Sequence, residues 1–328
     1  MGTALAIVWM KDLLSVIMLA GIYGLLSASF FVAMDAVDVA FTEAAVGAGI
    51  STLLMLVAIT MTGHKEHHSR HKPLLALAVV MVTGGLLIYG TYDMPSYGSS
   101  LAPIHMQVAP RYINDSMQEI GVPNIVTSVL ASYRAFDTFG EVVVIFTAGI
   151  GVLALLSVVY RPKDIAKIHS INESMHEQQL ILRIVSKILI PFILLFALYV
   201  QFHGDFGPGG GFQAGVIFAA AIILYKMVFG ISTARRVIHK PFIKLLAAIG
   251  LLLYGGIGIA SLLSGKNFLD YNALSDDPIA GQHLGILLIE LGVGITVASI
   301  MIIIFFSFSG RKEFSDDRRK TSRETDTP

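Results

Sequence analysis

The chain has 328 residues, of which 55% are hydrophobic and only 14% charged, and its mean hydropathy is +0.73. A soluble domain of this size carries about twice that charge on its surface, so composition alone excludes an ordinary soluble globule. The formal net charge is zero and there are no cysteines, which excludes disulfides, thiolate nucleophiles and iron–sulfur ligation.

Several apolar windows reach the roughly 18 to 25 residues that a helix needs to cross about 30 Å of hydrocarbon. The expectation is an all-α, polytopic membrane protein with eight spans. In chain order they are Leu13–Phe31, Val39–Met61, Leu74–Thr91, Phe139–Tyr160, Ile184–Phe202, Gly211–Gly230, Phe242–Leu263 and Leu284–Phe308. Nothing ahead of the first span reads as a cleaved signal; Lys11 and Asp12 simply precede it. Eight crossings put 20 of the 23 Lys and Arg on one side, leaving Arg111, Arg134 and Lys266 on the other. That asymmetry predicts both termini in the cytoplasm.

Between the second and third spans, His64, His67, His68 and His71 stand among Lys65, Arg70 and Lys72. Basic interfacial residues are the norm in such a loop, and no carboxylate cage accompanies the histidines, so no metal site is expected. The one long external segment, Tyr92–Asp137, holds Pro95, Pro103, Pro110 and Pro123, which predicts an ordered, surface-hugging loop. From Pro123 the pattern turns helical, with Ile125, Val126, Val129, Leu130 and Tyr133 on one face, leading into the fourth span. The stretch Asp164–Gln179 is polar and expected to be partly helical, Pro191 is expected to kink the fifth span, and the charged tail after Gly310 is expected to be disordered. Lys187 and Lys226 lie near span ends, where a long stem snorkels to the headgroups. No internal repeat supports an inverted-repeat transporter.

Charges inside a bilayer are costly and point to a pathway or a polar contact. Glu43, Glu141 and Glu290 lie in the second, fourth and eighth spans, all at a similar depth below the external surface in this topology. Asp38 and Asp137 precede the first two, His283 lies two turns before Glu290, and His203 and Asp205 border the next loop at the same level. Carboxylates in low dielectric exchange protons near neutral pH, and oxygen ligands suit hard cations. An outward-opening half-channel for protons or cations is one reading; single structural hydrogen bonds to neighbouring helices are the other. Closeness in depth is legible here, lateral closeness is not.

Between the fifth and sixth spans runs Asp205-Phe206-Gly207-Pro208-Gly209-Gly210-Gly211-Phe212-Gln213-Ala214-Gly215. No Lys-Ser or Lys-Thr follows, and a long apolar run comes next, so a phosphate loop is not expected. Gly207, Gly211, Gly215 and Ala219 recur every four residues, and on a helix they form a smooth stripe for close helix approach.

Three stretches converge on one family. His203 through Phe212, with Gly207, Pro208, Gly209, Gly210, Gly211 and, beyond, Gly215, resembles the signature of the B subunit of Mrp-type (Mnh) multisubunit Na⁺/H⁺ antiporters. Gly121–Thr127 continued by Tyr133–Glu141 resembles the MbhE-type module, and Asp38–Val46 is similar to the MbhD-type module. Their order is that expected of the C-terminal part of the large A-type chain fused to the B-type chain. The resemblance implies an MbhD-like region over 1–91, an external loop and MbhE-like helix over 92–165, a cytoplasmic linker over 166–183, an MnhB-like four-helix region over 184–310 and a tail over 311–328. The antiporter-like helices that open a whole A-type chain are missing, which implies an accessory role.

The resemblance further implies a multi-pass protein of the bacterial cell membrane, a subunit of a secondary transporter and not an enzyme. It implies partners among A-type and D-type antiporter-like subunits and the small subunits C, E, F and G, together with lipid, Na⁺ and H⁺, and neither cofactor nor nucleic acid. It places Glu43 and Glu141 on an ion path and gives the glycine loop a packing role. Two alternatives stay open: a membrane-arm subunit of a hydrogenase-like redox complex, and a scaffold holding lipid and neighbouring subunits.

Overall fold

A computed structural model describes residues 1–65, 73–96, 98–156 and 180–325. Among them eight helices are long and apolar enough to cross a membrane: Leu13–Ala33, Val37–Thr60, Leu74–Thr91, Ala135–Leu156, Leu180–His203, Gly211–Gly230, Lys240–Leu263 and Pro278–Ser309. The protein is therefore a polytopic all-α membrane protein. His67, His68, His71 and the stretch Asp164–Gln179 lie outside the described residues.

Several boundaries differ from the sequence expectation for local reasons. The eighth span starts at Pro278, earlier than its apolar run, because Asp277 caps it: the Ile279 N–H donates to Asp277 Oδ1 at 3.1 Å. Proline at the first helical position gives up a donor that would have no partner anyway. At its far end this helix continues as backbone to Thr325, through the segment expected to be disordered. That segment is charged but rich in Arg, Lys and Glu, which are good helix formers. A short helix not foreseen, Gly2–Trp9, precedes the first span. Pro191 lies inside the fifth helix.

Backbone contacts fix which helix ends meet. The Leu13 N–H donates to His64 O at 2.9 Å, which closes the first two spans into an antiparallel pair at one end. At the opposite end Asn124, Asp205 and the start of the second span come together, with the Asn124 N–H on Asp205 O at 3.1 Å. Alternating crossings satisfy both contacts.

The eighth helix is the central element, with Ile286, Ile289, Val293, Val297 and Ile300 buried along it. Glycines let its backbone be approached from two sides. A Cβ at Gly250 of the seventh helix would lie 2.6 Å from Gly292 O, and one at Gly215 of the sixth would lie 2.7 Å from Gly294 O. In lipid no hydrophobic force drives helices together, so this close van der Waals contact is the main attraction. Gly211, Gly215 and the fully buried Ala219 supply the stripe on the sixth helix. Gly207 stands outside it, because the helix begins only at Gly211.

Two buried tyrosines tie the fourth helix to this core. Tyr254 OH donates to Ala135 O at 2.8 Å, and Tyr271 OH donates to Ala131 O at 2.9 Å. Burial raises the pKa of Tyr271, so it stays a donor. The segment before this helix is Ile125–Thr127 in α form, then Ser128–Tyr133 in π form. A second π segment, Ala44–Ser51, follows Glu43 directly. Such wide turns leave carbonyls outside the regular ladder, where side chains can reach them.

The segment between the third and fourth spans carries three short helices, Pro103–Gln107, Ala109–Asn114 and Ser116–Glu119. Arg111 pairs with Glu119 at 3.2 Å and lies 5.5 Å from the centre of the Tyr133 ring, whose hydroxyl donates to Glu119. The Tyr133 hydrogen bond, and after it Arg111, hold Glu119 below the usual carboxylate range. Burial, with the Glu119 contact, pushes Tyr133 up to about 12. By contrast the third span, Leu74–Thr91, has no buried side and exposes Leu86, Leu87, Ile88 and Tyr89.

Candidate functional site

The site is built where the glycine loop docks on the start of the second span and on the segment ahead of the fourth. The chain leaves the fifth helix at His203, turns, and re-enters as a helix at Gly211. The turn needs Gly210, whose φ of 119° with ψ of −180° is accessible only to glycine. Its N–H returns to Val200 O at 3.0 Å.

The loop's carbonyls are held by side chains from elsewhere. Asn124 Nδ2 donates to Gly204 O at 3.1 Å and Gly207 O at 3.0 Å, while its Oδ1 caps the Val126 N–H at 2.9 Å. Thr127 Oγ1 donates to Gly204 O at 2.6 Å. From the second span, Asp38 Oδ1 accepts the Gly209 N–H at 3.2 Å, and Gln213 Nε2 donates to Thr42 Oγ1 at 2.9 Å. An irregular loop at the membrane needs such partners, because lipid offers none.

Beside this clamp opens a cavity of about 260 Å³ lined by Asp38, Glu141 and Glu290, together with Thr42, Gln213 and the backbone of Gly209, Gly210 and Gly211. Glu290 stands over the start of the sixth helix: a Cβ at Gly210 would lie 3.1 Å from Glu290 Oε1. The unpaired N–H groups of a helix start favour negative charge nearby. Asp38 and Asp205 lie within electrostatic reach of Glu290. Glu141 is exposed on the surface of the chain, at the edge of the same cavity.

The remaining candidates sit apart from the cavity lining. Glu43 packs back between its own helix and the first, where a Cβ at Gly24 would lie 3.3 Å from its Oε1. Asp137 pairs with Arg134, Nη2 to Oδ2 at 2.6 Å. His203 stacks on Tyr199 with ring centres 4.9 Å apart, and Gly207 fits beside it. Asp205 lies 3.9 Å from His283 Nδ1; burial raises its pKa and the histidine partly offsets this. Pro208 is exposed in the loop.

Among the described residues no three carboxylate or imidazole groups converge to hold one metal ion. Sequence reasoning placed the acids but missed Asn124, Thr127, Thr42 and Gln213. Only Gln213 adjoins the glycine run in the sequence; Asn124 lies 80 residues from Gly204 and Thr42 lies 171 from Gln213, so nothing local marks them.

Three family models match the chain in succession. They are MbhD, the D component of MBH, over residues 1–64; MbhE, the E component of MBH, over 70–175; and a domain related to the MnhB subunit of Na⁺/H⁺ antiporter over 181–303. The antiporter subunit mnhB2 of Staphylococcus aureus strain Newman is 35% identical over 139 residues, 42% of this chain and 98% of that protein. The mnhB2 subunit of Staphylococcus haemolyticus is 35% identical over 141 residues, 42% of this chain and 99% of its own length. A chain of the Mrp complex from Dietzia sp. DQ12-45-1b shares the fold over 94% of this chain, with a TM-score of 0.71 and 23% identity. This chain spans 34% of that one. A chain of the membrane-bound sulfane sulfur reductase, an archaeal respiratory membrane complex, aligns over 71% of this chain and 95% of its own, with a TM-score of 0.51 and 29% identity. Matched to mnhB2 along nearly that protein's whole length, and carrying MbhD-, MbhE- and MnhB-like parts in order, the chain belongs to the Mrp-type antiporter subunits.

Proposed function

We propose that the chain is an accessory membrane subunit of a multisubunit Na⁺(cation)/H⁺ antiporter, acting in transport and not as an enzyme. It contributes to complex assembly and to the ion path. Its partners are A-type and D-type antiporter-like subunits and the small subunits C, E, F and G. The observation that carries this reading is the 35% identity to mnhB2 over 98% of that protein. The cavity edged by Asp38, Glu141 and Glu290 supplies the chemistry, since it sets three carboxylates beside a helix start, with Glu141 at its exposed edge. Glu43, outside this cavity, serves the path less directly, through the packing of the first two helices. In this reading both termini lie in the cytoplasm and the loop cluster outside, supported by the Lys and Arg asymmetry between the two sides.

The test is Na⁺-driven collapse of a pH gradient in everted vesicles carrying the whole complex. Glu290→Gln is expected to lower the exchange rate on the order of 10²-fold, the usual worth of a positioned proton-transfer group. Affinity capture should show the complex intact. Unchanged exchange in Glu290→Gln, Asp38→Asn and Glu141→Gln alike would leave only the scaffold role. A redox-linked membrane arm is the weaker reading, because the sulfane sulfur reductase chain matches this one at a TM-score of only 0.51.

A further inference from the structure

A second cavity, of about 340 Å³, lies between the fifth, sixth, seventh and eighth helices, away from the carboxylates. Apart from Gln201 and Ser299, every side chain lining it is apolar. Small residues leave the space: Ala197, Ala214, Gly215, Gly294 and Ala298 stand where larger side chains would fill it. Gln201 is only 7% exposed, and its Nε2 is a buried donor without a hydrogen-bond partner. Leaving such a donor unsatisfied is costly in a low-dielectric interior, so its presence needs an explanation.

We propose that this cavity holds one acyl chain of a membrane phospholipid, with the Gln201 amide donating to the ester carbonyl of that chain.

Depth favours this occupant. Gln201 lies two residues before the end of the fifth span, the level at which ester carbonyls meet the hydrocarbon. Along the eighth helix the lining runs from Leu291 to Ile302, which at 1.5 Å per residue spans roughly 16 Å. Half of a bilayer's roughly 30 Å hydrocarbon core is about the same length. A single acyl chain thus fits from the polar end at Gln201 to the apolar end at Leu246 and Ile302. The glycines that bring the sixth and eighth helices together also shape this groove, so helix packing and lipid binding share their residues.

The complete complex is reconstituted in phosphatidylethanolamine and phosphatidylglycerol vesicles doped with a diester phosphatidylcholine bearing a diazirine on its tail. Cross-links are then mapped by peptide mass spectrometry. Labelling is expected to concentrate on Phe218, Ile222, Leu246 and Ala298, and to vanish in Ala298→Phe, which fills the space. If that variant fails to assemble, Ile222→Phe serves the same purpose. Gln201→Leu should weaken labelling about five-fold, the worth of one net hydrogen bond. An ether-linked probe without the carbonyl should label the wild type about five-fold less. In Gln201→Leu the ether and ester probes should label equally.

Cavity labelling no stronger than that of the lipid-exposed third span would overturn the proposal. So would equal labelling of the wild type by ester and ether probes, displacement of the lipid by an isoprenoid quinone, or a neighbouring subunit's helix cross-linked into the groove.

Discussion

A few polar side chains hold the loop on which the carboxylate cavity depends, and Asn124 makes the most of those contacts. Asn124→Ala removes the donors to Gly204 O and Gly207 O together with the cap on Val126. A loss of about 1–3 kcal/mol in stability is expected, measured by thermal unfolding of the detergent-solubilised protein. Asn124→Asp, which keeps the cap but loses the donors, should be nearly as damaging. At the Arg111–Glu119–Tyr133 cluster the sign of the pH response follows from the shifts. Glu119 is held below its ordinary 4.5, so its contribution is present above that value and lost as pH falls through the lower folded value. Tyr133 is raised from 10.0 to about 12, so its contribution is present below 10 and lost as pH climbs towards 12. Limited proteolysis of the 103–134 segment should therefore accelerate at both extremes, and Glu119→Gln should remove the acid limb.

Among the elements, the glycine contacts around the eighth helix can be separated from glycines that only happen to be helical. Gly250→Ala drives a methyl towards Gly292 O, a backbone atom that cannot swing aside, and should destabilise by about 1–3 kcal/mol. Gly256, in the same helix, has open space around it, so Gly256→Ala should leave the melting temperature nearly unchanged or slightly raised. The sequence reveals the spans because apolar windows of membrane length have no other home. It also reveals the stripe of small residues, because a period of four survives in any helix. It does not reveal that Gly207 falls in the loop, that Glu43 turns away from Glu141, or that Asp137 is taken by Arg134. Those outcomes depend on where π segments and loop clamps rotate each helix, and such rotations are set by contacts distant in the chain.

At the scale of the whole molecule, sidedness rests on the distribution of Lys and Arg, and the lack of native cysteines makes it directly measurable. A single cysteine at Ser99 is expected to react with a membrane-impermeant maleimide in intact cells, and one at Lys11 only after the membrane is opened. The reverse pattern would invert the proposed path. The third span has no buried side within the chain, so a cysteine at Ile88 should cross-link to a neighbouring subunit or to lipid on every face tested.

The loop after the fifth helix is gripped by Asp38 from the MbhD-like region and by Asn124 and Thr127 from the MbhE-like region. The clamp therefore joins three modules. Where such modules are separate polypeptides, the same grip would have to form by encounter and could be lost by dissociation. Here one peptide chain sets their ratio at one to one to one and keeps each at a high effective concentration for the others. Mutations that loosen the grip should then show first as slowed transport, while the modules still purify together.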